Sequence, residues 1–256
     1  MRALETEVGR WACATVLAFG VLSTLAVASR ASESAHWSYT GTSGPSHWSE
    51  LSNDFALCRS GQSQSPIDIV DAVDTELPPL SIDYQWQVSQ IVHNGHAIQL
   101  TALAGSHVRV RDMQLELLQF HFHTPSENRL EGKSFPLELH FVHRNTEGEL
   151  GVLAVFFESA DADNASLAQI LDTAPRQKGE RPAAELKLRE DDLLPRDRSY
   201  YMYSGSLTTP PCSEGVRWFV LQSPRGVSAK QVKAFAKLAG KNAREPQPLH
   251  SRLVLR

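Results

Sequence analysis

Apolar residues recur at every second position in several short runs of the chain, and turn-forming residues separate these runs. An alternation of period two is typical of a β-strand with one buried face. The run at 150–157 differs because it is continuously apolar, so it predicts a central strand buried on both faces. The predicted strands are 90–92, 97–102, 107–110, 115–122, 137–142, 150–157 and 216–221.

Two segments, 164–171 and 228–239, carry the longer period of an amphipathic helix. Ser228 is a favourable N-cap for the second helix, and Gly240 is a favourable stop. No linker long or polar enough to divide domains interrupts the strand-rich part of the chain. The pattern predicts an α+β fold, in which a single domain forms around a large twisted, mostly antiparallel β-sheet with short peripheral helices.

Composition and charge leave the predicted fold unchanged, but they restrict the classes of binding partner. The 256 residues are 41% hydrophobic and 21% charged, which is ordinary for one large globular domain. The net charge is −4, and the basic residues are scattered without forming a block or stripe. These features argue against a nucleic-acid partner.

The N-terminal segment differs from the rest of the chain. Arg2 and Arg10 precede an apolar stretch over 11–27, which ends in the small residues of 26–28. This order predicts a secretory signal peptide, export to the periplasm or the medium, and no stable membrane span in the mature protein. Acidic residues in the leader keep a retained anchor as a minority alternative. The predicted organisation is a signal peptide over 1–28, a short flexible lead over 29–35 and one domain over 36–256.

Cysteine usage is consistent with export. Of the three cysteines, Cys13 lies inside the predicted leader, and Cys58 and Cys212 remain in the mature chain. An even pair in an oxidising compartment predicts a disulfide bond. Two buried free thiols are the alternative.

A cluster of histidines on two predicted strands carries the strongest chemical signal. His121 and His123 share one face of a strand because side chains alternate. A turn at 131–133 would fold the chain back and place His140 opposite them. Three imidazoles leave a fourth tetrahedral position for water, which is typical of a catalytic zinc site.

Polar neighbours strengthen this interpretation. Gln119 shares the face of His121 and His123, and Glu138 shares the face of His140. Metal-binding imidazoles need such acceptors to fix which ring nitrogen is protonated. The alternative is a pair of histidines on a half-buried strand with no metal.

Several segments together resemble the alpha-class carbonic anhydrases, and the bacterial secreted branch in particular. The matching segments, in preserved order, are 36–39, 61–69, 94–97, 119–128, 206–211 and 242–249. The resemblance covers nearly the whole predicted mature chain. It implies a zinc-bound hydroxide that attacks carbon dioxide to give bicarbonate, with His121, His123 and His140 as the zinc ligands.

The resemblance also implies roles for individual residues. Glu127 and Thr208 match a pair that orients the attacking hydroxide, here called the gate, and His96 matches the proton shuttle. An apolar wall around carbon dioxide corresponds to Val142, Val152, Leu207 and Trp218, and Thr209 matches a polar neighbour of bicarbonate. Gln119 matches the partner that holds His121, and Glu138 matches the partner that holds His140. The backbone carbonyl of Asn242 matches the partner that holds His123.

Two positions depart from the family pattern. His93 stands where asparagine is commoner, so it could assist His96 or simply be solvated. Asn128 stands just outside the gate where histidine is common, so it should have no shuttle role and little consequence. The remaining histidines are expected to be structural, namely His36, His47, His107, His143 and His250.

Two rival functions remain open on sequence alone. His121, His123 and Glu127 have the spacing of a cupin metal motif, although the glycine and Pro-x-Gly elements of that motif are missing. A member of the family that has lost catalysis could act as a binding module. The sequence does not decide between a monomer and a homodimer.

Overall fold

A computed structural model describes residues 35–256, and the predicted signal peptide and residues 29–34 of the predicted flexible lead lie outside these residues. Thirteen strands occur in this part of the chain. They are β1 Asp68–Ile69, β2 Leu80–Asp83, β3 Val88–His93, β4 Ile98–Ala102, β5 His107–Val110, β6 Met113–His123, β7 Arg129–Leu130, β8 Leu137–Arg144, β9 Leu150–Ala160, β10 Gly179–Pro182, β11 Tyr200–Ser206, β12 Glu214–Leu221 and β13 Arg225–Ser228.

Short helices surround these strands. The α-helices are α1 Trp48–Leu51, α2 Leu57–Ser60, α3 Ala165–Thr173, α4 Glu190–Leu193 and α5 Ala229–Ala239, and 3-10 turns occupy Gly41–Ser43, Pro45–His47 and Asn53–Phe55. The predicted helices correspond to α3 and α5. Asn164 caps α3, and Ser228 forms a full capping box with Gln231 at the start of α5. None of the helices among residues 35–256 is long and apolar enough to cross a membrane.

Eleven strands form one large sheet in the described part of the chain. The main order is β10-β3-β4-β6-β8-β9-β12-β11, with β5 beside β6, β2 beside β5 and β13 beside β9. Within this sheet all pairings are antiparallel except those of β9 with β12 and with β13, and β1 and β7 form a separate parallel pair. The α+β, mostly antiparallel prediction is confirmed. The continuously apolar strand β9 is buried over most of its length and has neighbours on both edges, as predicted.

An irregularity in β6 determines which of its side chains face the main hydrophobic core and which face the opposite side of the sheet. The pairing of β6 with β8 shifts register between Leu117 and Gln119, where two apolar residues interrupt the alternation. Before the shift Leu117 packs into the main hydrophobic core, and after it Phe120 and Phe122 do so. Inserting one residue reverses the faces, so the odd-numbered residues from Gln119 onward point away from that core.

The predicted disulfide between Cys58 and Cys212 is present. It joins α2 to the loop between β11 and β12. Within that loop, Leu207 N donates to Ser213 O and Cys212 N donates to Thr209 O. These contacts fix the segment that carries Thr208.

Candidate metal centre and active site

Three histidine side chains from adjacent strands converge on one face of the sheet. His121 and His123 lie on β6, and His140 lies directly opposite His121 on β8. One nitrogen from each ring lies within 4.8 Å of the other two. A single metal ion can therefore contact all three rings.

Two of the rings are oriented by an acceptor at their Nδ1 atoms. His121 Nδ1 lies 2.8 Å from Gln119 Oε1, and His123 Nδ1 lies 2.7 Å from the backbone oxygen of Asn242. Because both partners are acceptors, each Nδ1 carries the proton and each Nε2 keeps a lone pair. Within residues 35–256, His123 Nε2 is buried and meets no hydrogen-bond partner. That nitrogen has the surroundings of a metal ligand.

The third ring is turned the other way. His140 Nε2 lies 3.0 Å from Glu138 Oε1, although the two atoms are not aligned as a hydrogen bond. Its Nδ1 therefore faces away from Glu138, and lies 3.9 Å from Glu127 Oε2. The triad thus offers Nε2 from two rings and Nδ1 from the third.

The electrostatic environment favours neutral imidazoles. Burial holds the pKa of His121 well below its usual value, and His123 and His140 lower it further. Burial, followed by His123, lowers the pKa of His140 in the same way. Burial also lowers the pKa of His123, against the opposing effects of Asn242 and Glu138. Neutral rings keep the lone pairs that bind a metal.

Glu138 is fully buried behind His140 and is held by the segment that follows β6. Its Oε2 accepts from the backbone nitrogens of Glu127 at 2.7 Å and Asn128 at 2.9 Å, and its Oε1 accepts from Asn128 Nδ2 at 2.8 Å. Burial raises the pKa of Glu138 to about 7, and the bonds from Asn128 act against that shift. Asn128 directly follows the gate residue Glu127, and its side chain is fully buried against Glu138.

Glu127 lies beside the triad and is also fully buried. Its Oε1 accepts from the backbone nitrogen of Arg244 at 2.9 Å, and its Oε2 lies 3.4 Å from His123 Nε2. Burial raises the pKa of Glu127 to about 8, and the Arg244 amide and the nearby Thr208 hydroxyl lower it. Thr208 is thus close enough to act on Glu127. Even so, Oε2 has no aligned hydrogen-bond partner among the described residues.

Arg244 connects the gate to the disulfide region. Its buried guanidinium donates to Cys58 O at 2.8 Å, Ser65 O at 2.7 Å and Gln64 Oε1 at 2.9 Å. Burial lowers the pKa of Arg244 to about 10, and Glu127 opposes that shift. Sequence reasoning did not single out Arg244, because a lone arginine near the end of a chain carries no local signal of burial.

An apolar surface lies next to the triad. Val142 pairs with Val152 across β8 and β9, and Val152 pairs with Trp218 across β9 and β12. These three side chains are buried in one cluster, and Leu207 packs against it. The Trp218 ring stands edge-on to the His140 ring, with 5.0 Å between centroids. The residues assigned to the apolar wall are therefore brought together, and Thr209 lies partly exposed in the adjoining loop.

His96 lies in the hairpin turn between β3 and β4. Gly95 takes a φ of +96°, which glycine adopts without strain, and Asn94 Oδ1 accepts from the backbone nitrogens of His96 and Ala97. The His96 ring stacks on Trp37, with 3.7 Å between centroids. Burial lowers the pKa of His96, and His36, Lys178 and His93 lower it further. The ring is therefore neutral at neutral pH and able to accept a proton.

His93 and His143 have both ring nitrogens engaged. His93 Nδ1 accepts from Gly95 N at 3.1 Å, and its Nε2 lies 2.9 Å from Leu238 O. His143 Nε2 lies 2.6 Å from the Tyr84 hydroxyl, and burial lowers the pKa of His143 to about 4. These partners give both rings structural surroundings.

Comparison with known proteins agrees with this geometry. Residues 43–256 match the family described as eukaryotic-type carbonic anhydrase. A carbonic anhydrase of Pectobacterium atrosepticum is 42% identical over 226 residues, which cover 88% of this chain and 92% of that protein. The alpha-carbonic anhydrase from Thermovibrio ammonificans, solved with the inhibitor sulfanilamide, gives a TM-score of 0.83 at 43% identity and covers 87% of this chain and 99% of that one. Photobacterium profundum alpha-carbonic anhydrase gives 0.81 at 48% identity, with coverage of 86% and 100%.

Proposed function

The chain belongs to the eukaryotic-type, or alpha-class, carbonic anhydrase family, and on that basis we propose that His121, His123 and His140 hold its catalytic zinc ion. The activity is the reversible hydration of carbon dioxide to bicarbonate and a proton. The observation that carries the zinc proposal is the convergence of three neutral imidazole nitrogens, one of them buried without a partner.

The donor set fits zinc in number, atom type and charge. When bound, zinc lowers the pKa of a coordinated water to about 7, a figure established on carbonic anhydrases themselves. Three neutral ligands leave the full charge of the ion to act on that water, whereas a carboxylate ligand would reduce it. This is why the chain supplies imidazoles at the centre and keeps Glu127 and Glu138 as hydrogen-bonding neighbours.

The contacts of Glu127 argue against the cupin alternative. A cupin would use Glu127 as a ligand beside the histidines. Here Glu127 Oε1 is occupied by the Arg244 amide, and the convergent group contains the three histidines alone among the described residues. A silent binding module is also disfavoured, because every ligand and both gate residues are present.

Substrate placement follows from the apolar wall. Carbon dioxide has no net charge or dipole, so a pocket bounded by Val142, Val152 and Trp218 favours it over water. Leu207 closes the same side, and Thr209 offers a polar contact where the product carries charge. Stopped-flow measurement of carbon dioxide hydration, before and after a chelator removes the metal, tests this function.

His96 is proposed to export the proton that the reaction releases. It is partly exposed, it is neutral near pH 7, and its backbone oxygen accepts from Asn242 Nδ2 at 2.9 Å. The carbonyl of the same Asn242 holds His123. The shuttle turn is thus tied to the metal centre through one residue.

Replacing His96 with alanine should lower kcat in dilute buffer and leave kcat/KM nearly unchanged, because carbon dioxide attack precedes proton export. Added imidazole should restore part of the rate. Since both nitrogens of His93 are engaged, adding His93→Ala should lower kcat little further. A double variant that keeps full kcat in dilute buffer would show that neither histidine is the shuttle.

Export to the periplasm or the medium is proposed from two observations. One is the leader pattern over 1–28, and the other is the disulfide between Cys58 and Cys212, which persists in oxidising compartments. The bacterial relatives are consistent with this compartment. Cleavage near residue 28 would leave the domain that begins at 36.

Native exported protein should contain no titratable thiol, and reduction should lower its unfolding temperature without directly removing zinc. The bond spans 154 residues, so the chain-entropy model gives ~4–5 kcal/mol as an upper figure. That corresponds to a loss on the order of 10 °C. Thiol titration and thermal melts measure both effects, with a Cys58→Ser, Cys212→Ser double variant as the control that reduction should not change. Two free thiols in the native exported protein would contradict the proposal.

A further inference from the structure

We propose that Asn128 is a positioning residue that sets the zinc affinity of His140 by aiming the carboxylate of Glu138. This inference rests on the proposed zinc site. It starts from the four contacts of the buried Glu138 carboxylate. Three of them come from the segment Glu127–Asn128, and the fourth faces His140 Nε2 at 3.0 Å.

Asn128 supplies the contact closest to His140. Its Nδ2 donates at 2.8 Å to Oε1 of Glu138, the same oxygen that faces His140 Nε2. The two backbone bonds hold the other oxygen, Oε2. Without the amide donor, the carboxylate could rotate about its terminal bond, and Oε1 would no longer be fixed in front of the ring. His140 would then lose the contact that turns Nδ1 toward the other two histidines.

The orientation of the Asn128 amide is itself fixed. Its Oδ1 accepts from the backbone nitrogen of Ile67 at 3.2 Å and from the Tyr203 hydroxyl at 2.9 Å. A backbone N–H can only donate and a carboxylate can only accept, so the amide cannot be flipped. The position requires a side chain that accepts on one side and donates on the other. A hydrophobic residue of similar size meets neither requirement.

The experiment compares zinc affinity among variants, using competition with a chromophoric chelator. Asn128→Leu should weaken zinc binding by about 10–100-fold, the usual effect of removing an outer partner of a metal ligand. Asn128→His retains one donor and one acceptor, so it should keep the affinity within a few-fold. If Asn128→Leu does not fold, Asn128→Ala replaces it in the experiment, with the same expected loss of zinc affinity.

Tyr203→Phe is the control for a purely structural role. It removes a hydrogen bond to Asn128 Oδ1 but leaves the donor to Glu138, so zinc affinity should change by less than about twofold while the melting temperature of the zinc-free protein falls. If Asn128→Leu or Asn128→Ala lowers that melting temperature and leaves zinc affinity unchanged, the inference is overturned. Failure of the unmodified protein to bind zinc would instead overturn the proposed zinc site.

Discussion

Replacing His121 with alanine should abolish tight zinc binding and nearly all carbon dioxide hydration. The variant leaves two of the three convergent nitrogens, which is one fewer than the three protein ligands of a catalytic zinc site. Loss of an outer partner alone typically costs about 10–100-fold in metal affinity, so loss of a ligand should exceed that range. Zinc content after dialysis and stopped-flow hydration measure the two effects.

Two matched variants separate ligand loss from general damage. Gln119→Ala removes the acceptor that holds the same ring, so it should give an intermediate loss of zinc affinity. His47→Ala removes a partly exposed histidine paired with Glu50 on the surface, so it should change neither measurement. A metal-free His121→Ala variant with full hydration activity would contradict the zinc proposal. His123→Ala and His140→Ala should lose zinc and hydration activity in the same way as His121→Ala.

The histidine triad could be predicted from sequence because it follows local rules. Alternation placed His121 and His123 on one face, and a turn that includes Gly132 returned the chain so that His140 met His121 in register. The pairing of Gln119 with His121 follows from the same alternation. Each of these steps needs only neighbours within one hairpin, and hairpin geometry is set by sequence patterns.

Contacts from distant segments could not be predicted in the same way. Arg244 contacts Glu127 and Cys58, which lie far from it in the sequence, only in the folded domain. The residues next to Arg244 give no sign of these contacts. The sequence pattern does not predict strand β11 either, because its tyrosine, serine and glycine residues do not alternate as apolar and polar positions. That strand supplies Tyr203, which fixes Asn128. The burial of Asn128 could not be predicted either, because its partner Tyr203 lies on this strand.

Thr208→Ala should lower kcat/KM for carbon dioxide hydration by about 100-fold or more, the usual scale for losing one oriented hydrogen-bonding group at a reacting centre. The Thr208 hydroxyl is proposed to donate a hydrogen bond to Glu127, so that its oxygen accepts a hydrogen bond from the attacking hydroxide and orients it. Glu127 is suited to receive that bond, because Arg244 N occupies its Oε1 and leaves the buried Oε2 without a partner among the described residues. The loop contacts of Leu207 and Cys212 hold Thr208 in place.

Buffer dependence distinguishes this defect from the loss of the shuttle. Since Thr208 acts on the attack itself, imidazole or concentrated buffer should not restore the rate of Thr208→Ala, whereas it should rescue His96→Ala. Thr208→Ser keeps the hydroxyl and should stay within a few-fold of the unmodified protein. Glu127→Gln should resemble Thr208→Ala, and the double variant should lose little more than either single change, because the two side chains act as one unit. Full additivity of the two losses, or rescue of Thr208→Ala by buffer, would show that Thr208 does not work through Glu127 in the attack step.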